Sequence, residues 1–324
     1  MKMKLLLVVL CTCQIFSASA IQLTNWGGYN LMGFYIDGSF VVMNVKEIAS
    51  WKYQSDNLNP DIRPQNFKTW KNEEFPEYEF KWGASVIQDN RFWLLSGEGT
   101  IDNKKWQPMD TVITGTVDKD GTVANVKKVR PLPFKAKLGR ALIYDNKIWF
   151  LGGFGHDELI AADILADGEL GEWKNYKSYP TSVSSGGFVY YKGCFYANGV
   201  PAFITRRSSK MYALKINKKE VGEKWIRVDS PKDALGHLFV HNDALYYFDE
   251  FLGNIYKTTQ EDDGIQLKDW QIVGKMPSPP NTYGVGVAQV PDGWFIYGGI
   301  LNYDPTGKFS GFFKGAFMPF SDLK

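Results

Sequence analysis

The chain has 324 residues, of which 44% are hydrophobic and 15% aromatic, and its formal net charge is +2 at pH 7. This length and apolar content are sufficient for a large hydrophobic core. The near-neutral charge argues against nucleic acid or an anionic membrane surface as the main partner.

The N-terminus has the pattern of a secretory signal peptide. Two lysines precede an apolar run, and small residues fill positions 17–20. A short charged start, an apolar stretch and an Ala-x-Ala end are typical of a cleaved signal rather than of a transmembrane helix. We therefore predict cleavage after Ala20, which divides the chain into a signal peptide at 1–20 and one domain at 21–324. The mature protein is expected to be secreted or periplasmic, with no membrane insertion.

A unit of about 50 residues recurs along the rest of the chain. Each copy starts with a glycine, continues through two apolar runs joined by a tight turn, and closes with an aromatic residue and a proline. The clearest copy runs from Gly139 to Pro180 and contains Asp145-Asn146, Gly152-Gly153 and Trp173. The leading glycines, spaced 48 to 56 residues apart, are Gly33, Gly83, Gly139, Gly187, Gly236 and Gly284.

The composition of each unit predicts two β-hairpins. Asp-Asn and Asp-Gly pairs between apolar runs favour primed turns, which need positive φ at their central residues. The runs are rich in Val, Ile, Phe, Tyr and Trp, which suit a partly buried sheet. A four-stranded sheet of this kind buries both faces when copies stack radially, so we predict an all-β fold, a six-bladed β-propeller of four-stranded antiparallel blades. The predicted first turns are Asp37-Gly38, Asp89-Asn90, Asp145-Asn146, Lys192-Gly193, Asn242-Asp243 and Asp292-Gly293.

Three features together resemble the kelch repeat: the Gly152-Gly153 and Gly298-Gly299 pairs, the later tryptophan, and the period near 50. The resemblance covers essentially the whole chain after residue 20 and implies a kelch-type propeller of the galactose oxidase and kelch-like superfamily. Other copies depart from the pattern, with Ser96-Gly97, Asn198-Gly199 and Asp249-Glu250 in place of the glycine pair. The resemblance implies no function, because propellers carry unrelated activities.

Candidate site residues come from the loops after the second strand of each copy, since loops on a rigid scaffold usually carry binding groups. Arg140 and His237 are added because they directly follow a leading glycine, where the other copies have small or apolar residues. The alternative interpretation is that both face a water-filled channel. The predicted ligand-binding residues are Arg140, His237, His156, Arg206, Arg207 and Tyr303.

We predict no metal site and no cofactor. The chain has three histidines, and a metal site needs three or four converging ligands. The copper site of galactose oxidases includes a cysteine cross-linked to a tyrosine, for which Cys194 and Tyr196 are the candidates here. The chain lacks the histidine-rich context of that site, so we interpret Cys194 as a small apolar filler. No Gly-x-Ser-x-Gly elbow is present in the sequence, and a glycosidase-like pair of carboxylates stays open.

Two functional hypotheses follow. The first is a secreted, non-catalytic recognition module that binds a protein or glycan through loops at one end of the propeller. The second is a carbohydrate-active enzyme, because the chain is similar in architecture and size to periplasmic sialic acid mutarotases. That resemblance implies that Arg140, Arg206 or Arg207 would hold a sugar carboxylate. His237 or a loop carboxylate would then move the proton.

Overall fold

The structure is a computed structural model. It describes residues 32–36, 39–43, 47–52, 68–71, 78–101, 105–200, 210–217, 220–231, 236–250, 252–277, 282–283, 286–297, 300–301, 311–312 and 315–323. The predicted signal peptide lies outside these residues. Within them, no helix is long and apolar enough to cross a membrane.

Five antiparallel four-stranded sheets, here called blades 1 to 5, follow one another along the described chain. Blade 1 consists of β1 (Met32–Ile36), β2 (Ser39–Met43), β3 (Glu47–Lys52) and β4 (Lys68–Lys71). A small sheet of β5 (Tyr78–Lys81), β8 (Glu98–Ile101) and β9 (Lys105–Pro108) lies beside blade 2. Blade 2 itself consists of β6 (Ala84–Gln88), β7 (Arg91–Leu95), β10 (Val112–Val117) and β11 (Val123–Val129).

The next three blades follow the same plan with short connections. Blade 3 consists of β12 (Arg140–Tyr144), β13 (Lys147–Gly153), β14 (His156–Asp163) and β15 (Lys174–Asn175), with a 3-10 helix at Ala166–Gly168. Blade 4 consists of β16 (Ser184–Tyr191), β17 (Cys194–Val200), β18 (Lys210–Lys215) and β19 (Ile226–Val228). Blade 5 consists of β20 (Gly236–His241), β21 (Ala244–Asp249), β22 (Asn254–Thr258) and β23 (Gln271–Lys275).

The last copy of the repeat departs from the prediction. It forms a three-stranded sheet of β25 (Gly286–Val290), β26 (Gly293–Tyr297) and β29 (Gly315–Pro319), and β24 (Thr282–Tyr283), β27 (Ile300–Leu301) and β28 (Gly311–Phe312) form a separate small sheet. A 3-10 helix at Phe320–Asp322 follows β29 directly, so no fourth strand continues from it. The prediction of six four-stranded blades was therefore wrong, because the described residues form five.

The sheets pack around a common centre. The inner strands of neighbouring sheets contact one another in the order β25, β1, β6, β12, β16 and β20. Blade 5 packs against the last sheet through a buried cluster that contains Phe248, Ile255 and Trp294. These contacts close a ring and confirm the all-β propeller built from four-stranded antiparallel blades. We call the strands of each blade A to D from the centre outward.

The predicted turns join strands A and B in blades 2 to 5. Asp145 and Asn146 have φ of 52° and 54°, as a primed turn requires. The last predicted turn was wrong by one position, because Val290 pairs with Gly293 and the turn residues are 291–292. A Cβ on Gly293 would lie 2.3 Å from the carbonyl oxygen of Met318. The glycine therefore allows a close approach between strands rather than the turn.

Two recurrent residues of the repeat have packing roles. A Cβ on the leading Gly236 would lie 1.6 Å from the carbonyl oxygen of Phe248, so no larger residue fits there. The indole Nε1 of Trp225 donates to the carbonyl oxygen of Lys177 at 2.9 Å, which ties blade 4 to blade 3. Trp270 makes the same kind of bond to Asp229, at 3.1 Å, between blades 5 and 4. Two of the closing tryptophans, Trp225 and Trp270, thus join consecutive blades by a hydrogen bond.

Candidate functional site

The propeller has two ends of different construction. The turns between strands A and B lie at one end, here called the turn face. The loops between strands B and C, here called B–C loops, lie at the opposite end together with the connections between blades. We call this second end the loop face. Antiparallel pairing puts the start of strand A and the end of strand B at the loop face, so Arg140 and His237 both lie there.

His237 pairs with a carboxylate of the blade 5 B–C loop. Its Nε2 lies 2.8 Å from Oε1 of Glu250, and the two side chains are 20% and 6% exposed. The atoms are within ion-pair distance, but the carboxylate lies off the direction of a ring N–H bond. A histidine beside a buried carboxylate is an arrangement able to hold and transfer a proton.

A second ion pair connects blades 2 and 3. The Nζ of Lys137 contacts Oε1 of Glu98, whose side chain is 5% exposed. The same Nζ lies 4.6 Å from the ring centroid of Trp82 and 5.3 Å from that of Phe154. An ammonium group over aromatic faces is attracted by their quadrupoles. The lysine is therefore held by a carboxylate and two rings at once.

A third pair lies farther out on blade 3. Nδ1 of His156 is 3.2 Å from Oε2 of Glu158, and the backbone N–H of Asp157 donates to the same oxygen at 3.0 Å. The imidazole stacks on Phe134, with ring centroids 4.4 Å apart and planes 18° from parallel. These contacts fix both the ring and the carboxylate.

Arg140 is anchored to backbone rather than displayed on a flexible loop. Its Nε donates to the carbonyl oxygen of Gly186 in the neighbouring blade. In that neighbouring blade, the N–H of Gly187 donates to Oδ1 of the fully buried Asn198 at 2.7 Å. Nδ2 of the same Asn198 lies 3.4 Å from the carbonyl oxygen of Gly236. Because Gly236 directly precedes His237, a line of polar contacts joins the two predicted residues across blade 4.

Backbone strain also occurs at this face. Trp82 and Leu138, which each precede a leading glycine, have φ of 58° and 62°. The N–H of Leu138 donates to the carbonyl oxygen of Trp82 at 2.6 Å, so a backbone hydrogen bond connects the two strained residues. Bulky residues in this region cost on the order of 1–3 kcal/mol each and persist where the surroundings fix them. Such strain is frequent at ligand-binding sites.

The B–C loops of blades 2, 3 and 5, taken in blade 3 together with the first three residues of the strand that follows, share one composition. Each contains a glutamate paired with a basic side chain: Glu98 with Lys137, Glu158 with His156, and Glu250 with His237. Among the described residues, each also exposes one large apolar side chain. These are Trp106 at 43%, Phe154 at 38% and Leu252 at 53% exposure.

The sequence-based candidates have different outcomes. The structure brings Arg140 and His237 to one rim and puts His156 farther out on the same face. Arg206, Arg207 and Tyr303 lie outside the described residues. Lys137 was missed because the candidates came from the B–C loops, whereas Lys137 lies in a connection between blades that emerges at the same face. Asn198, near the end of strand B in blade 4, was interpreted only as a substitute for a repeat glycine. The position of Lys137 two residues before a leading glycine was the available signal.

His241 and Cys194 have packing contacts in the structure. His241 lies at the turn-face end of β20 and stacks on Phe320 with centroids 3.6 Å apart, and burial lowers its pKa. Within the described residues, no group of three metal-ligating side chains is placed to hold an ion. Cys194 is buried with its Sγ 3.3 Å from the carbonyl oxygen of Gly264, and burial raises the pKa of its thiol.

Comparisons with known proteins support the fold. No protein-family model matches the chain, and no curated protein matches its sequence. Among solved structures, 541 chains match. One of them, described as "Structure of YjhT", has a TM-score of 0.66 and 11% sequence identity, and the match covers 96% of this chain and 99% of the other. At this identity the likeness establishes only a shared β-propeller fold, and a shared fold does not establish a shared function.

Proposed function

We propose that the protein is a recognition module that binds a glycan or a protein partner through its loop face. We further propose that its blades are kelch-type repeats and that it acts outside the cytoplasm after removal of residues 1–20. The observation that carries the proposal is the shared composition at the B–C ends of blades 2, 3 and 5, where a paired glutamate lies near an exposed apolar side chain. Apolar anchors surrounded by polar groups are characteristic of binding surfaces.

A glycan is the favoured partner. Trp106 and Phe154 present aromatic surface for stacking on the apolar face of a sugar ring, and the neighbouring carboxylates accept hydrogen bonds from hydroxyl groups. The contacts described above hold the carboxylate of Glu158 in place. Binding a ligand therefore loses less side-chain conformational entropy at this residue.

The test is a glycan array followed by affinity measurements with the Phe154→Ala and Tyr190→Ala variants. Both aromatic rings are exposed to a similar extent, 38% and 37%, but Tyr190 lies at the turn face. We expect Phe154→Ala to weaken binding by about tenfold, since a stacked aromatic contributes about 1 kcal/mol or more. The Tyr190→Ala variant should bind as the wild type does. Equal affinities for the two variants would contradict the assignment of the face.

A second candidate function is the interconversion of sugar-acid anomers, which the inner rim favours. In this candidate, Arg140 at the loop-face rim would pair with the carboxylate of the sugar, and the His237–Glu250 pair would accept the proton of an anomeric hydroxyl. Exchange between anomers of a sugar acid, followed by NMR, tests this function. His237→Gln should slow the exchange by about a hundredfold. His241→Gln, at the far end of the same strand, should not. Catalysis unaffected by His237→Gln would remove this candidate.

A further inference from the structure

A groove on the outer part of the loop face lies apart from the rim of Arg140 and His237. It encloses about 530 Å³, within the range of about 300–1,000 Å³ that is common for small-molecule sites. The blade 2 to blade 3 connection forms one wall and the outer strands of blade 3 form the other. The lining residues are Pro133, Phe134, Glu158, Asn175, Tyr176 and Ser178.

The alternation of side chains explains why polar groups meet here. In blade 3, Ile160 pairs with Asn175 and belongs to the core between blades 2 and 3. Glu158 precedes Ile160 by two positions, so its side chain points to the same side of the sheet. The carboxylate and the carboxamide therefore project from one face of blade 3 toward blade 2, and Phe134 lines the same groove.

The groove is preorganised. The carboxylate of Glu158 accepts from the N–H of Asp157 and pairs with His156, and the ring of Phe134 is fixed by stacking on the same histidine. Trp173 packs against the same hydrophobic core cluster as Phe134. Its buried Nε1 has no acceptor among the described residues, whereas Trp225 and Trp270 donate to a carbonyl oxygen of the preceding blade.

We propose that this groove binds one neutral sugar ring of a glycan. This inference rests on the proposed function and adds the subsite and its ligand class. Phe134 supplies the apolar wall, while Glu158, Asn175 and Ser178 supply acceptors and donors that match ring hydroxyl groups. The carboxylate disfavours an anionic sugar, because two like charges in a partly enclosed site repel.

The experiment is calorimetric titration of the purified protein with D-galactose, D-glucose, D-mannose, N-acetyl-D-glucosamine and lactose. D-Glucuronate and D-galacturonate serve as the anionic counterparts. The variants are Glu158→Gln and Asn175→Ala, with Glu172→Gln as the control because it removes an exposed carboxylate of the same blade outside the groove lining. Thermal unfolding confirms that each variant is folded.

We expect at least one neutral sugar to bind. We also expect Glu158→Gln to weaken that binding by about tenfold, and Asn175→Ala by a similar factor, with no change for Glu172→Gln. The uronic acid should bind more weakly than its neutral parent sugar. Equal affinity for the uronic acid, or equal affinity of Glu158→Gln and the wild type, would overturn the inference. If Phe154→Ala abolishes glycan binding while both groove variants retain it, the proposed function holds and the groove assignment fails. If the wild type binds no glycan, both fail.

Discussion

The two faces of the propeller use polar residues in different ways. At the turn face, charged and polar groups bridge neighbouring turns and backbone, as in the pair of Lys192 and Asp243 at 2.7 Å, which joins blades 4 and 5. At the loop face, buried glutamates pair with basic groups beside exposed apolar side chains and a strained backbone. The turn face therefore serves the ring itself, while the loop face combines the elements that a ligand needs.

The largest expected effect concerns the glycines of the two faces. Gly236→Ala at the loop face would press a methyl group into the carbonyl oxygen of Phe248, and we expect a loss of at least about 3 kcal/mol or no folded protein. Gly193→Ala at the turn face has open space but a φ of +80°, so it should cost about 1 kcal/mol. Urea unfolding of both variants measures the difference. Comparable losses of unfolding free energy in the two variants would contradict the expectation that the close approach at Gly236 makes its replacement more costly.

A smaller effect concerns buried amides. Asn198→Ala leaves the buried N–H of Gly187 without its acceptor, and we expect a loss of about 2 kcal/mol. At the turn face, Nε2 of Gln260 donates to the hydroxyl of Tyr196 and the carbonyl oxygen of Gly264 in its two shortest hydrogen bonds, but the side chain is partly exposed. Its replacement by alanine should cost about 1 kcal/mol, since water replaces the lost partners. A larger loss for Gln260→Ala would reverse the ranking.

The smallest effect is a pH-dependent one at the turn face. The hydrogen bond from Lys147 to Asp163 lowers the pKa of the carboxyl and raises the pKa of the amine. The pair therefore stabilises the fold above the unfolded pKa of the carboxyl. That contribution is lost as the pH falls through the lowered value, and also as it rises through the raised pKa of the lysine. Both side chains are partly exposed, so Asp163→Asn should cost about 0.3–0.5 kcal/mol at pH 7.

Unfolding measured at pH 7 and at about pH 2 checks this prediction, because the variant and the wild type should converge in acid. Lys177→Gln, which replaces an exposed lysine near the end of the same blade, serves as the control. A difference that persists unchanged in acid would mean that the ion pair is not its source.

Much of the architecture could be predicted because it depends on local rules. Turn pairs such as Asp145-Asn146 specify hairpins through their backbone preferences, and the leading glycines mark where strands approach closely. The blade count failed where local rules did not suffice. The last copy carries the same landmarks as the others, but β26 pairs directly with β29, and within the part of the chain that the structure describes no fourth strand follows β29.

The sequence by itself determined the recurring unit, the hairpins and the propeller class. Only the tertiary structure decided which groups meet: Lys137 with Glu98, His237 with Glu250, and Asn198 between two blades. The physical reason is that strand alternation and turn chemistry act over a few residues and are visible in the chain. The partners of a buried charge, in contrast, come from loops separated in sequence by 13 to 39 residues, whose approach depends on how the blades pack.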